Sequence, residues 1–279
     1  MKKQQSKRVI PGFGLTMGVT LAMLSIVVLI PLASLAVYSA RLGLREFIEV
    51  ITRPRVLSGF YVSFITAFAA TVINAIMGLV LAWVLVRYDF PGKRIMDGMI
   101  ELPFALPTAV AGISLTSLTS DKGLVGSFFA NFGIKIAYTK IGITVALIFV
   151  GIPFVVRAIQ PVLEKLDGSY EEEARVMGAK PFTVFRRVIL PELLPAMLSG
   201  AGLAFGRCLG EYGSVVFIAG NKPYYTEITS LIIMSKLQEF DYESATAIAL
   251  VTLAVSFLIL FGVNLVQARN TKRIRGRDA

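Results

Sequence analysis

Two charged residues stand where charge is costly. Arg207 and Glu211 lie four apart in an apolar run at about 195–219, and they read as the only charges deep within a predicted span. At that spacing they share one helix face. Charges inside a membrane face the bundle interior, pair, and mark ion or substrate pathways. Two readings stay open: a self-neutralising pair that holds the bundle, or an arginine beside the path of an anion. The stretch Glu101-Leu-Pro-Phe-Ala-Leu-Pro-Thr is a second candidate. Pro103 and Pro107 each remove a backbone donor and free a carbonyl upstream. The segment is either a kinked packing helix or an unwound stretch whose freed groups line a pathway near mid-membrane. Asn74 and Asn264, lone polar residues in apolar spans, read as interhelical hydrogen-bond partners.

Other chemistry is excluded by what the 279 residues lack. There is no histidine, which removes His-based triads, HExxH zinc sites and histidine proton relays together. No metal site or cofactor is expected. Cys208 is the single cysteine, inside an apolar segment, and packing is its expected use. A phosphate loop needs G-x-x-x-x-G-K-[S/T], and Gly92-Lys93 lacks both the upstream glycine and the following hydroxyl. Any energy from ATP must therefore come from another chain.

The elements that position these residues are spans. The chain is 55% hydrophobic and only 16% charged. An average soluble domain carries about 25% charged residues. Apolar runs of about 20 residues are long enough to cross a bilayer as helices. The spacing predicts an all-α membrane protein with six of them. The first runs over residues 13–38 after a basic cytoplasmic N-terminus at 1–12, and is longer than the core of a signal peptide. The others run at about 60–86, 99–118, 141–162 (with Pro153 as a kink), 195–219 and 242–267 (with Asp241 as its cap), before a basic tail at 268–279. Gly202, Gly206 and Gly210 recur at i+4 and would let another helix approach closely. Phe128, Phe129 and Phe132, in the second outer loop, suit the membrane surface. The net charge of +10 sits on segments flanking the spans and does not indicate nucleic acid. With the N-terminus inside, 18 of the 28 basic residues fall on inner segments and nine on outer loops. That asymmetry places both termini in the cytoplasm.

One long polar interruption, Ser169 to Pro191, then falls on the cytoplasmic side. It reads as two short helices and a tight turn. Ser169 as N-cap with Glu172 three residues later would form a capping box. Gly178 suits the left-handed stop of the first helix, and Pro181 the first turn of the second. Phe182, Phe185 and Val188 or Ile189 make one apolar face. Pro191 is expected to limit that second helix. The hairpin is either a linker between spans or a docking plug for a partner.

This stretch resembles the cytoplasmic loop signature of binding-protein-dependent ABC importer permeases: E-A-A, three residues, Gly, nine residues, Ile, any residue, Leu-Pro. Here it stands as Glu172-Glu173-Ala174, Gly178 and Val188-Ile189-Leu190-Pro191, with Glu173 for the first alanine and Val188 for isoleucine. The resemblance implies that the hairpin is a coupling helix seated in a groove of an ATP-hydrolysing subunit, with Glu172, Glu173, Ala174, Gly178, Leu190 and Pro191 as the contact signature. It implies the type-I importer permease (MetI-like) fold over roughly residues 60–265, with the first span as an added arm that wraps a partner permease. Leu102 to Gly112 is similar to the third-span motif of the sulfate and molybdate permeases of that group, and Gly210-Glu-Tyr-Gly-Ser-Val-Val-Phe-Ile-Ala-Gly-Asn221 and Leu237-Gln-Glu-Phe-Asp-Tyr242 resemble the sulfate/thiosulfate ones. The implied partners are a second, homologous permease chain, two copies of a cytoplasmic ATPase and an external sulfate/thiosulfate-binding protein. The implied role is inward translocation of sulfate or thiosulfate across the cell membrane, with no catalytic residue in this chain. Molybdate or another oxyanion is the competing substrate. A secondary transporter acting alone and an intramembrane enzyme are the competing classes.

Overall fold

The computed structural model describes residues 13–166 and 168–275. The basic stretch 1–12, the side chain of Asn264 and the basic side chains of the tail lie outside the described residues. Among the described residues every element is helical. In chain order these are α1 (Phe13–Ser39), α2 (Leu44–Thr52), α3 (Pro54–Arg87), α4 (Lys93–Ala105), α5 (Thr108–Thr119) and α6 (Leu124–Ala130). They continue with α7 (Lys140–Lys165), α8 (Ser169–Val176), α9 (Pro181–Leu209), α10 (Gly213–Ile218), α11 (Thr229–Gln238) and α12 (Tyr242–Arg275). Five are long and apolar enough to cross a membrane: α1, α3, α7, α9 and α12 through Val263. Taken together, α4 and α5 are also long and apolar enough, with a bend of 114° between them.

The core is the three-helix contact of α3, α7 and α9. Val62, Ala67 and Ala70 of α3 meet Ile143 and Leu147 of α7 and Phe205 and Cys208 of α9. Toward the hairpin, Leu85, Val155, Val156, Ile159 and Leu193 continue the same seam. Helices in lipid gain little from apolar burial against one another, so close backbone approach matters most. At Gly200 it is closest: a Cβ there would lie 2.8 Å from the Val155 Cα and 2.9 Å from the Phe154 carbonyl oxygen. Gly202 and Gly206 face Leu260 of α12 more loosely. α1 buries none of its apolar window within the chain and touches it along α12. Cys208 is buried, with its thiol 3.4 Å from the Leu147 carbonyl oxygen.

Local signals set several ends. Pro54 opens α3 at its first turn. Thr139 caps α7 by accepting from the Ile141 N–H at 3.2 Å, and that helix runs unbroken through Pro153 and Pro161. Asp241 caps α12, its Oδ1 accepting from the Ser244 N–H at 3.1 Å.

Four expectations are corrected. The third span is not one helix: α4 and α5 meet at 114°. A residue before proline is driven out of the helical region, and Leu106 is extended at φ −88°, ψ 137°, ahead of Pro107. The fifth span starts at Pro181 and stops at Leu209, so residues 213–218 form a separate helix. Pro191 does not end the hairpin's second helix. A π-turn at Phe185–Ile189 precedes it, and Pro191 falls in the first turn of the α segment that follows, where a missing N–H costs little. Ser169 is not an N-cap: Gly168 holds that position and Ser169 is the first helical residue.

Candidate translocation site and coupling hairpin

Two helix breaks stack against each other. One is the bend at Leu106–Pro107. The other is the turn Gly210–Tyr212 between α9 and α10. They touch through glycines: a Cβ on Gly112 would lie 2.5 Å from the Ser214 carbonyl oxygen, and one on Gly213 would lie 2.1 Å from the Thr108 Oγ1. Only a hydrogen at those positions lets the first turns of α5 and α10 lie side by side. Irregular backbone at membrane depth survives only where protein or water meets its polar groups.

Glu211 holds the second break. It is 1% exposed. Its Oε1 accepts from the Ser214 N–H at 2.8 Å and the Ser214 hydroxyl at 2.9 Å, and Arg207 Nη1 donates to its Oε2 at 2.6 Å. The Ser230 hydroxyl donates to its carbonyl oxygen at 2.7 Å. The pair is asymmetric, because the Arg207 side chain is 36% exposed. The carboxylate is covered, and the guanidinium keeps part of its surface free. The fold thus pairs Arg207 with Glu211 and sets Thr108, the residue after Pro107, against Gly213, while Pro103 sits one turn earlier inside α4.

The hairpin has an inward and an outward face. Gly178 has φ +80°, and the turn closes with Gly178 N–H to Arg175 O at 2.8 Å and Ala179 N–H to Ala174 O at 3.0 Å. This is the glycine-stopped helix end expected of the spacing. Ala174 is buried with Leu163, Val184 and Ile189, so it fastens the hairpin to the bundle instead of facing out. Glu172 and Glu173 are exposed, and so are Val176 and Met177, whose exposure the spacing did not single out. Leu190 is half-buried and Pro191 exposed at the start of the long α segment of α9. Phe185 meets Trp83 edge-on at 5.6 Å, while Phe182 is exposed, so the expected apolar face is divided between core and surface.

Three ion clusters escaped the spacing argument. Arg157 stands within α7, where Nη1 reaches Asp97 and Nη2 reaches Glu101, both at 2.7 Å. Asp97 and Glu101 are four apart on α4, a signal that only the amphipathic reading of residues 93–105 would have caught. Arg55 donates through two nitrogens, at 2.8 and 2.6 Å, to Glu227, which is 1% exposed. Their 172-residue separation carries no local signal. Arg87 pairs with Glu171 at 2.7 Å. Asn74 departs from its expected role: it is fully buried against Gly151, and neither side-chain polar atom has a hydrogen-bond partner among the described residues.

Several apolar spans, two stacked helix breaks and a polar hairpin at one end are the build of a multi-span transport permease. The chain belongs to the family described as "Binding-protein-dependent transport system inner membrane component", which it matches over residues 74–276. It is accordingly a permease component, not an enzyme. It is 48% identical over 271 residues to the sulfate transport system permease protein CysT of Salmonella typhimurium, covering 97% of this chain and 98% of that one. It is 49% identical to the CysT of Escherichia coli with the same coverage. Its fold is that of the type-I importer permeases. It is similar to a chain of a bacterial ABC transporter involved in import of the acidic polysaccharide alginate, with a TM-score of 0.76 at 16% identity, over 92% of this chain and 96% of that chain. It is also similar to a chain of the MetNI methionine ABC transporter, with a TM-score of 0.58 at 18% identity, over 77% and 96% of the two chains.

Proposed function

We propose that this chain is the membrane-spanning permease through which an ATP-driven importer passes sulfate or thiosulfate into the cell. The near full-length identity to sulfate permeases carries the reading. The stacked breaks support it physically. A doubly charged oxyanion needs preorganised positive groups in the membrane, and α5's N-terminus with the exposed part of Arg207 supplies them. Tight binding is not needed here, because an external sulfate/thiosulfate-binding protein performs capture. Pro103, Pro107, Arg207 and Glu211 form the path, Glu211 by fixing Arg207. The assembly contains a second homologous permease chain and two copies of a cytoplasmic ATPase. Both termini are cytoplasmic. Glu172, Glu173, Val176 and Met177 present the docking face to the ATPase, with Ala174, Gly178, Leu190 and Pro191 shaping the element that carries it.

The test is uptake of radiolabelled sulfate by proteoliposomes holding the whole assembly, with thiosulfate and molybdate as competitors. Uptake that requires ATP and the external receptor, and that thiosulfate suppresses, is expected. Uptake suppressed by molybdate alone would move the substrate to that oxyanion. Uptake by this chain without an ATPase would return it to the secondary transporters.

A further inference from the structure

The inner end of α3 is clasped by the hairpin through one side chain. Arg87 is the last residue of α3. Its Nη2 donates to Glu171 Oε1 at 2.7 Å and reaches the Leu166 carbonyl oxygen at 3.4 Å. Its guanidinium carbon lies 5.8 Å from the Trp83 ring centroid, and the Trp83 ring meets Phe185 edge-on. One guanidinium therefore ties the first hairpin helix, the end of α7 and, through Trp83, the second hairpin helix to the same membrane span. Both charges are well covered, at 24% and 14% side-chain exposure. A partly desolvated pair of this kind is stronger and more exacting in geometry than a surface one.

The pair is also incomplete. An arginine and a carboxylate prefer two parallel bonds. Here Nη2 serves both acceptors, and the buried Nε–H has no partner among the described residues. The second oxygen of Glu171 is 3.9 Å from Arg175. A buried donor left empty is unstable against any movement that fills it. A small shift of α8 toward Arg87 would seat Glu171 on Nε and Nη2 together.

We propose that Arg87 is the strut that carries movement of the coupling hairpin into the membrane bundle, the Arg87–Glu171 pair passing from one bond to two as the ATPase presses on α8. Arg87 is a positioning residue: it touches neither substrate nor nucleotide. Glu171 faces the bundle while Glu172 and Glu173 face out, so contact and transmission are divided between neighbouring residues of one helix. The proposal rests on the reading of the hairpin as the ATPase contact.

The experiment uses the whole assembly in proteoliposomes and reads sulfate transported per ATP hydrolysed. Three variants are compared with the parent: Arg87→Gln, Glu171→Gln and the exchange Arg87→Glu with Glu171→Arg. A crosslink from Val176→Cys to the ATPase, in each background, reports docking separately. Docking unchanged, with the transport-to-hydrolysis ratio lowered at least ten-fold in both single variants and restored several-fold by the exchange, is the expected result. An unchanged ratio with intact docking overturns the strut. Loss of docking in all three variants also overturns it, by making the pair part of the fold and nothing more. If the Val176→Cys crosslink fails in the parent itself, the hairpin reading fails instead.

Discussion

Replacing Gly178 by valine isolates what the hairpin turn contributes. A Cβ at this position would meet no heavy atom within 4 Å, so the cost is conformational and not steric. Gly178 sits at φ +80°. A left-handed conformation costs an ordinary L-residue about 1–2 kcal/mol, and a β-branched one sits at the upper end. The chain can instead open the turn, losing the Gly178 and Ala179 amide bonds at 2.8 and 3.0 Å. Those are worth about 1 kcal/mol each. By either route the closed hairpin loses about 2 kcal/mol, roughly a 30-fold change in its opening equilibrium. Amide exchange followed by mass spectrometry on the assembled transporter reads that change directly, because local opening governs exchange. Peptides spanning the turn are expected to exchange about 30-fold faster in Gly178→Val, and sulfate uptake is expected to fall more than ATP hydrolysis. Gly178→Asn, which tolerates the left-handed region, recovers most of both. Parental exchange and uptake in the valine variant, or equal damage from asparagine, would refute the reasoning.

The Arg207–Glu211 pair is expected to respond asymmetrically. Arg207→Gln leaves Glu211 held by Ser214, so thermal stability and assembly stay near the parent while sulfate uptake drops; parental uptake sinks the pathway role. Glu211→Gln strands a partly exposed guanidinium, with a cost of about 2 kcal/mol that should appear as a lower Tm. Gly112→Val would push α5 off the Ser214 carbonyl, abolishing uptake while hairpin exchange stays parental; retained uptake would show that the stacked breaks are not needed. Asn74→Leu replaces two unsatisfied buried groups with hydrocarbon of similar size, and a stabilisation of about 1 kcal/mol is expected by thermal unfolding in detergent. A lower Tm would mean that Asn74 has a partner in the assembled protein.

Much of the site was legible because its signals are local. Gly178 and Pro181 lie three residues apart, and helix-end chemistry acts over that range. The spacing of Arg207 and Glu211 was enough to predict their pairing, which the fold contains. What spacing missed acts across distance. Arg55 and Glu227 meet across 172 positions. A lone polar residue in a span is expected to find a hydrogen-bond partner, yet Asn74, packed against Gly151, has none among the described residues. Pro191 was read as a stop because a proline in isolation breaks a helix, and the π-turn ahead of it changes the register in which it falls.

The sequence by itself determined the greasiness of the spans, the absence of histidine chemistry and of a phosphate loop, and a polar, glycine-turned hairpin between two spans. Each follows from composition or from neighbours within a few turns. Only the tertiary structure decided that the two broken spans face each other, since that needs Gly112 against Ser214 and Gly213 against Thr108, about a hundred residues apart. It alone divided the hairpin signature into an inward Ala174 and outward Glu172 and Glu173, and joined Glu171 to Arg87. Which face of a short helix is covered depends on what packs against it, and no local pattern contains that information.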